Sequence, residues 1–406
     1  MENQWVSDQE APVHTHSRSI RAAAAALVVG LAGCATPPER LDPPPAEFAE
    51  VTQIPGIPGA RQWGDEPPRE LQDWLSLAPE ALRGGHDGVM GREHDYLVIS
   101  GGGGNGAFGA GLLAGWSKHG SRPQFQIVSG VSTGALIAPF AFLGPAYDGT
   151  LREIYTLYST ADLVESRSAL AIVRGDAALD NTRLRALIAL YLDDSVIAAI
   201  AAEGATGRSL FVGTTNLDAG RPVVWDITRI AASGSPRARE LIHDVILAST
   251  AIPGPFPPVM IEVQAGAGRY HEMHVDGGVT SQLFLAPTGI DWRKVMERLE
   301  VQGPPGLYVI RNARVVQESE AVPRRLAAIM KRTVSTLTNA QGIGDLAKLY
   351  AMSIEHGFDY HLAYIPESFD GEASETFDRA YMTKLFEYGY ELARTGRQWT
   401  LVPTGD

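Results

Sequence analysis

From about residue 90 onward, short apolar runs rich in β-branched residues alternate with longer stretches whose apolar positions recur at helical spacing. Such runs read as buried strands and as helices with one buried face, and their alternation predicts an α/β domain with a central, mainly parallel sheet. Strands are expected at 96–100, 125–129, 209–214, 223–227, 260–263, 274–275, 307–310 and 361–365. Helices are expected at 106–119, 133–142, 181–191, 237–249, 322–337 and 377–394. Beyond about residue 285 the helical patterns carry no motif that attaches to chemistry.

The N-terminal part reads differently. Arg18 and Arg21 precede an uncharged run, 22–33, that is too short to span a bilayer as a helix but suits a signal-peptide core. The run ends in Leu31-Ala32-Gly33-Cys34, which resembles a bacterial lipobox, where the cysteine is lipidated and becomes the first mature residue. Cys34 is the only cysteine, so no internal disulfide framework exists; the competing reading is a free or buried thiol. Prolines at 37, 38, 43–45, 55, 58, 67 and 68 favour extended chain, and Leu71, Trp74, Leu75 and Leu77 suggest a short helix. The expected organisation is a lipoprotein signal peptide at 1–33, a Pro-rich tether with a short helix at 34–90, and a catalytic domain at 91–406.

Charge narrows the partners. A formal net charge of -13 and a pI near 5.3 argue against nucleic acid, whose binding needs clustered Lys and Arg. The same acidity attracts anionic lipid poorly, so membrane attachment is expected through an anchor at Cys34 or an apolar patch.

Three clusters carry candidate chemistry. The segment 126–136 reads strand, tight turn, helix, with Gly130-Val131-Ser132-Thr133-Gly134 at the turn. Its glycines suit strained backbone and close strand–helix approach, and Ser132 at the apex would lie at a positive helix N-terminus. An inert glycine-rich turn with an N-capping serine is the bland alternative. Earlier, Gly101, Gly102, Gly103, Gly104, Asn105 and Gly106 fall between a strand and a helix, where bare amides can converge on one developing oxyanion. Later, Asp276-Gly277-Gly278 ends an apolar strand; the carboxylate could take a serine proton directly, or the dipeptide could simply turn a hairpin.

Two other readings compete. Gly101, Gly103 and Gly106 also satisfy a dinucleotide-binding pattern, but no Asp or Glu stands where a ribose-binding acid is needed; only an Arg such as Arg122 could hold a 2′-phosphate. A Ser-His-acid triad would draw on His243, His271, His274, His356 or His361, none with a supporting motif.

Taken together, the glycine loop, the serine elbow and the Asp-Gly-Gly turn resemble the patatin-like phospholipases, in family order over about residues 94–287. The segment Ala248-Ser249-Thr250-Ala251-Ile252-Pro253, with Phe256-Pro257-Pro258, is similar to the family's stretch just upstream of the acid. The resemblance implies a three-layer α/β/α sandwich and a Ser-Asp dyad that hydrolyses lipid acyl esters without cofactor or metal. By motif, Ser132 would be the nucleophile, Asp276 the base, and the amides of Gly102, Gly103 and Gly104 the oxyanion hole. Many members have Arg or Lys where this chain has Asn105. A lipid ester substrate, a lipid anchor at Cys34 and a place in the bacterial cell envelope, at the outer membrane, complete the expectation. Acyl transfer through the same acyl-enzyme and a non-catalytic lipid-binding lipoprotein are the alternatives.

Overall fold

The computed structural model describes residues 40–402, apart from 169–170, 173–174, 317–318 and 320. The signal-peptide segment, Cys34 and the first residues of the expected tether lie outside the described residues.

Eleven strands are described: β1 (Arg61–Trp63), β2 (Asp95–Ile99), β3 (Ile127–Val131), β4 (Glu165–Ser166), β5 (Leu179–Asp180), β6 (Ser209–Asn216), β7 (Arg221–Asp226), β8 (Val259–Ala265), β9 (Gly268–Asp276), β10 (Gly306–Arg311) and β11 (Asp359–Tyr364). β4 and β5 form a separate small ribbon. The main sheet runs β1-β7-β6-β3-β2-β10-β11, with β9 also on β6 and β8 on β9. From β6 to β11 the pairs are parallel, while β1, β7 and the β8–β9 hairpin pair antiparallel.

Strand alternation divides the core into two. Leu97, Ile99, Val128, Ile310 and Ala363 pack with the helices Gly106–His119, Thr133–Leu143, Ala238–Ser249 and Arg379–Arg394 on one face. Their neighbours Tyr96, Val98, Val309 and Leu362 pack on the other face with Trp292, Leu346 and Leu349, from the helices Trp292–Arg298 and Leu326–His356. This is the expected three-layer sandwich with a central, mostly parallel sheet flanked by helices, and it follows from period-two burial on both faces.

The C-terminal helix Arg379–Arg394 lies very close to Gly106–His119. A Cβ on Gly111 would fall 2.0 Å from Phe386 O, one on Gly115 2.1 Å from Tyr390 O, and one on Gly389 2.5 Å from Phe108 O. Glycine on both partners lets the backbones touch, so the last helix is seated directly on the helix that follows the glycine loop.

The expectation of a tether over 34–90 does not hold for residues 40–90. Ile54, Ile57, Ala60 and Trp63 are buried in the main core, and β1 adds an edge strand to β7. Arg61 is buried against Glu272 of β9, with its Nη2 2.7 Å from Oε1. Proline suppressed regular structure here, but it did not prevent packing. The short helix forms as Leu71–Leu75, followed by a second at Pro79–His86. Leu326–His356 runs much further than the expected 322–337.

Candidate active site

The register of β6 decides which residues meet. On one side of β6, β3 ends with Val131 opposite Gly213. On that same side β9 arrives from the opposite direction and ends with Asp276 opposite Thr214, the next residue. The two strands therefore abut end to end, and Ser132, following Val131, is brought against Asp276. The Ser132 side chain faces the Asp276 carboxylate closely enough to act on its protonation, favouring the ionised form. Both residues are buried, at 6% and 5% exposure, so little solvent competes for the contact.

Ser132 takes φ 56°, ψ −123°, a conformation disfavoured for any residue with a side chain. Its surroundings fix it there. A Cβ on Gly130 would fall 2.3 Å from Gly134 O, and one on Gly134 2.3 Å from Ile99 O, so only glycines let strand, turn and helix approach this closely. The Ser132 N–H donates to Ser249 Oγ at 2.9 Å, and the Ser249 hydroxyl donates on to Gly213 O at 2.7 Å. Ala251 O accepts the Asp276 N–H at 3.0 Å. One segment, 249–251, thus holds both members of the pair. The sequence marked this segment by its resemblance but assigned it no role.

Asp276 is oriented by its own turn. Its Oδ1 accepts the Gly278 N–H at 2.8 Å, and a Cβ on Gly277 would fall 2.5 Å from Gly213 O. Burial raises the carboxyl from its ordinary value to about 6, against the opposing effect of the nearby Ser132 side chain and the Gly278 N–H. A group with that value is ionised at neutral pH yet still a stronger base than a solvated aspartate.

The glycine loop sits beside the serine. A Cβ on Gly101 would lie 3.1 Å from Ser132 Cβ. Gly102 (φ 154°) and Gly103 (φ 56°) adopt backbone that favours glycine, and the short 3-10 turn Gly103–Asn105 leads into the helix Gly106–His119. The first backbone bond of this turn runs from Asn105 N–H to Gly102 O, 3.1 Å. Amides ahead of a helix have no intrahelical acceptor. A Cβ on Gly106 would overlap Thr133 Oγ1 at 2.1 Å, so the N-termini of two helices converge here, and Thr133 hydrogen-bonds Tyr155 at 2.5 Å. Two positive helix ends beside one serine favour negative charge on a bound oxygen.

Three supporting residues had no sequence signal. Asn312, fully buried after β10, donates from Nδ2 to Ser100 O (3.0 Å) and accepts the Gly109 N–H (3.0 Å). Gln282 donates to Gly278 O (3.0 Å), so it braces the acid's turn. The Tyr381 phenol, on the last helix, donates to Asn105 Oδ1 at 2.8 Å. Asn105 therefore ties the loop to the C-terminal helix instead of placing a cation there.

The site opens on a narrow apolar cavity of about 60 Å³, lined at one end by Ser132 and Gly103 and beyond them by Leu136, Phe140, Leu187, Ile188, Ile252 and Phe256. The histidines lie elsewhere. His274 hydrogen-bonds Thr214 (2.9 Å) and Glu272 (3.2 Å), and burial holds it below the usual imidazole value. His243 reaches Leu192 O, His271 accepts the Leu41 N–H, His361 stacks on Tyr308, and His356 lies near Phe358. Arg122 is committed to Asp148 and Ala141 O, so it does not serve a dinucleotide phosphate. Among the described residues, no group of three His, Cys, Asp or Glu side chains is placed to hold a metal ion.

A family model described as patatin-like phospholipase matches residues 97–288. No curated protein matches the chain. Among solved structures, the crystal structure of VipD from Legionella pneumophila is similar at 14% identity, covering 75% of this chain and 67% of that one, with a TM-score of 0.36. The matched stretch, residues 97–288, contains Ser132, Asp276 and the glycine loop, and it is this part of the chain that is similar to the patatin-like phospholipases.

Proposed function

We propose that the protein is a serine lipid acyl hydrolase in which Ser132 and Asp276 act as a dyad. The observation that carries this reading is the juxtaposition of Ser132 and Asp276 at the abutting ends of β3 and β9, beside an apolar cavity. The match of residues 97–288 to the family's model supports lipid hydrolysis; the ester linkage and the dyad are our assignment.

In the first half-reaction Asp276 takes the hydroxyl proton as Ser132 Oγ bonds to the ester carbonyl carbon. The oxygen that becomes negative is received by amides of Gly102, Gly103 and Gly104. Collapse of this intermediate breaks the ester bond, and the leaving alcohol takes the proton from Asp276, leaving an acyl-serine. Water then attacks, Asp276 accepts its proton, and breakdown returns that proton to Ser132 Oγ as the fatty acid leaves. The acyl chain would occupy the cavity, because almost any polar group there would lose its water without finding a partner.

We place the protein in the bacterial cell envelope, at the outer membrane, anchored by lipid on Cys34. An acyl acceptor other than water would make the same acyl-serine a transferase intermediate. The decisive experiment is labelling with a fluorophosphonate, with hydrolysis of a phospholipid and short-ester panel. Wild-type protein should be labelled on Ser132 and active, and Ser132→Ala neither; labelling elsewhere, or ester cleavage by Ser132→Ala, would remove the assignment.

A further inference from the structure

The helix Leu326–His356 has two unlike halves. Its second half is core, with Leu346 and Leu349 buried against the sheet and the Asp345 carboxylate accepting the Gln282 N–H at 2.7 Å. Its first half leaves large apolar side chains in solvent: Leu326 is 79% exposed, Leu337 66%, Met330 53%, Val334 51% and Ile329 47%. At about 100° per residue these five fall within an arc of about 140° on one side of the helix. Asn339, bonded by Arg311 at 2.6 Å, and Gly342, against the same guanidinium, mark the opposite, packed side.

Topology places this stripe. β10 and β11 are parallel, so the helix between them runs back against the strands, with its N-terminus at the sheet end where Ser132 follows β3. Arg311, the last residue of β10, is level with Asn339. The thirteen residues from Leu326 to Asn339 therefore project about 20 Å past the sheet, at 1.5 Å each, on the Ser132 end.

Charge identifies what the stripe meets. Residues 321–344 contain Arg324, Arg325, Lys331 and Arg332 and no Asp or Glu, in a chain whose net charge is -13. Lys331 and Arg332 lie about 60° beyond the two edges of the apolar arc, and long cationic side chains there can bend back toward the headgroups while the stripe enters the acyl boundary. An acidic protein gains nothing from such a stretch in water, but an anionic bilayer complements it. We infer that residues 324–337 form an interfacial docking helix that seats the Ser132 end of the protein on an anionic lipid surface. No helix among the described residues is long and apolar enough to cross a membrane, so this contact would be superficial and reversible. The inference accompanies the hydrolase reading but does not need turnover to be observed.

The test is co-sedimentation of the full chain carrying Cys34→Ser, which removes the anchoring thiol, with vesicles of phosphatidylcholine alone or with one-quarter phosphatidylglycerol. Partitioning should be at least tenfold stronger onto the anionic vesicles. It should fall at least tenfold in Leu326→Gln/Met330→Gln/Leu337→Gln, and similarly in Lys331→Glu/Arg332→Glu. Both variants should keep the parent's circular dichroism and its rate on a soluble butyrate ester, since all five positions lie outside the site. Unchanged binding in the apolar variant, equal binding to neutral vesicles, or a dimer that this variant dissolves would overturn the proposal. Vesicle binding that persists when Ser132→Ala leaves ester cleavage intact would sink the hydrolase reading and spare this one.

Discussion

Ser249 and Ser132 are 117 positions apart and joined by one hydrogen bond, the Ser132 N–H to Ser249 Oγ at 2.9 Å. The bond holds the strained elbow from outside its own strand–turn–helix unit. Ser249→Ala would leave that buried N–H without its acceptor, at a cost of about 1–3 kcal/mol. We expect a roughly tenfold fall in kcat with KM nearly unchanged, because an unset elbow misplaces the nucleophile without altering the acyl cavity. Steady-state kinetics on a short ester, with a thermal melt, checks both parts.

Asp276 gives opposite predictions for activity and stability. As the proposed base it must be ionised, so kcat/KM should rise with pH through about 6 and then level. Its carboxyl is raised above the unfolded value, so its contribution to stability is present below that value and lost as pH rises through about 6. An unionisable Asp276→Asn should lose roughly a thousandfold in turnover. At pH 8 it should be more stable than wild type by up to about 3 kcal/mol, with near parity at pH 4. Melting curves at the two pH values are the measurement.

Tyr381 should matter although it lies on the last helix. Tyr381→Phe removes the donor to Asn105 and loosens the glycine loop. We expect a threefold to tenfold lower kcat and at most about 1 kcal/mol of lost stability. Asn105→Asp, which keeps an acceptor, should retain more activity than Asn105→Ala in the same assay.

On the proposed reading, the apolar cavity sets acyl-chain length. Leu187→Trp would fill it at a half-buried wall position. Hydrolysis of long-chain esters should fall at least tenfold while butyrate changes less than about twofold, measured across an acyl series.

Much of this was legible from local pattern. The runs at 96–100 and 125–129 became β2 and β3, and the helix expected at 106–119 forms with those limits, because burial on both faces leaves continuous apolar runs. The glycine loop, elbow and Asp-Gly-Gly turn were visible because the geometry of each demands glycine. What could not be read depends on distant pairing. β1 is three residues, Arg61-Gln62-Trp63, beside prolines, and only its register on β7 makes it a strand. β9 was seen only at 274–275, since Arg269, His271 and Glu272 break its apolar pattern. The second half of Leu326–His356 was hidden by Asn339, Gly342 and Gly344, residues that weaken helix propensity and here meet Arg311 at two of the three positions.

The order of strands in the sheet limits how the protein can be divided. The family-matched stretch, 97–288, supplies the middle of the sheet, while β1 covers β7 on one flank and β10 with β11 covers β2 on the other. A fragment excised at those limits would carry two naked strand edges, each a template for aggregation. It would also take Arg61 from Glu272, leaving that buried carboxylate with His274 but without its cation. The smallest soluble piece must therefore begin before Arg61 and run through Arg394, and the residues flanking the motifs are as indispensable to folding as the motifs are to chemistry.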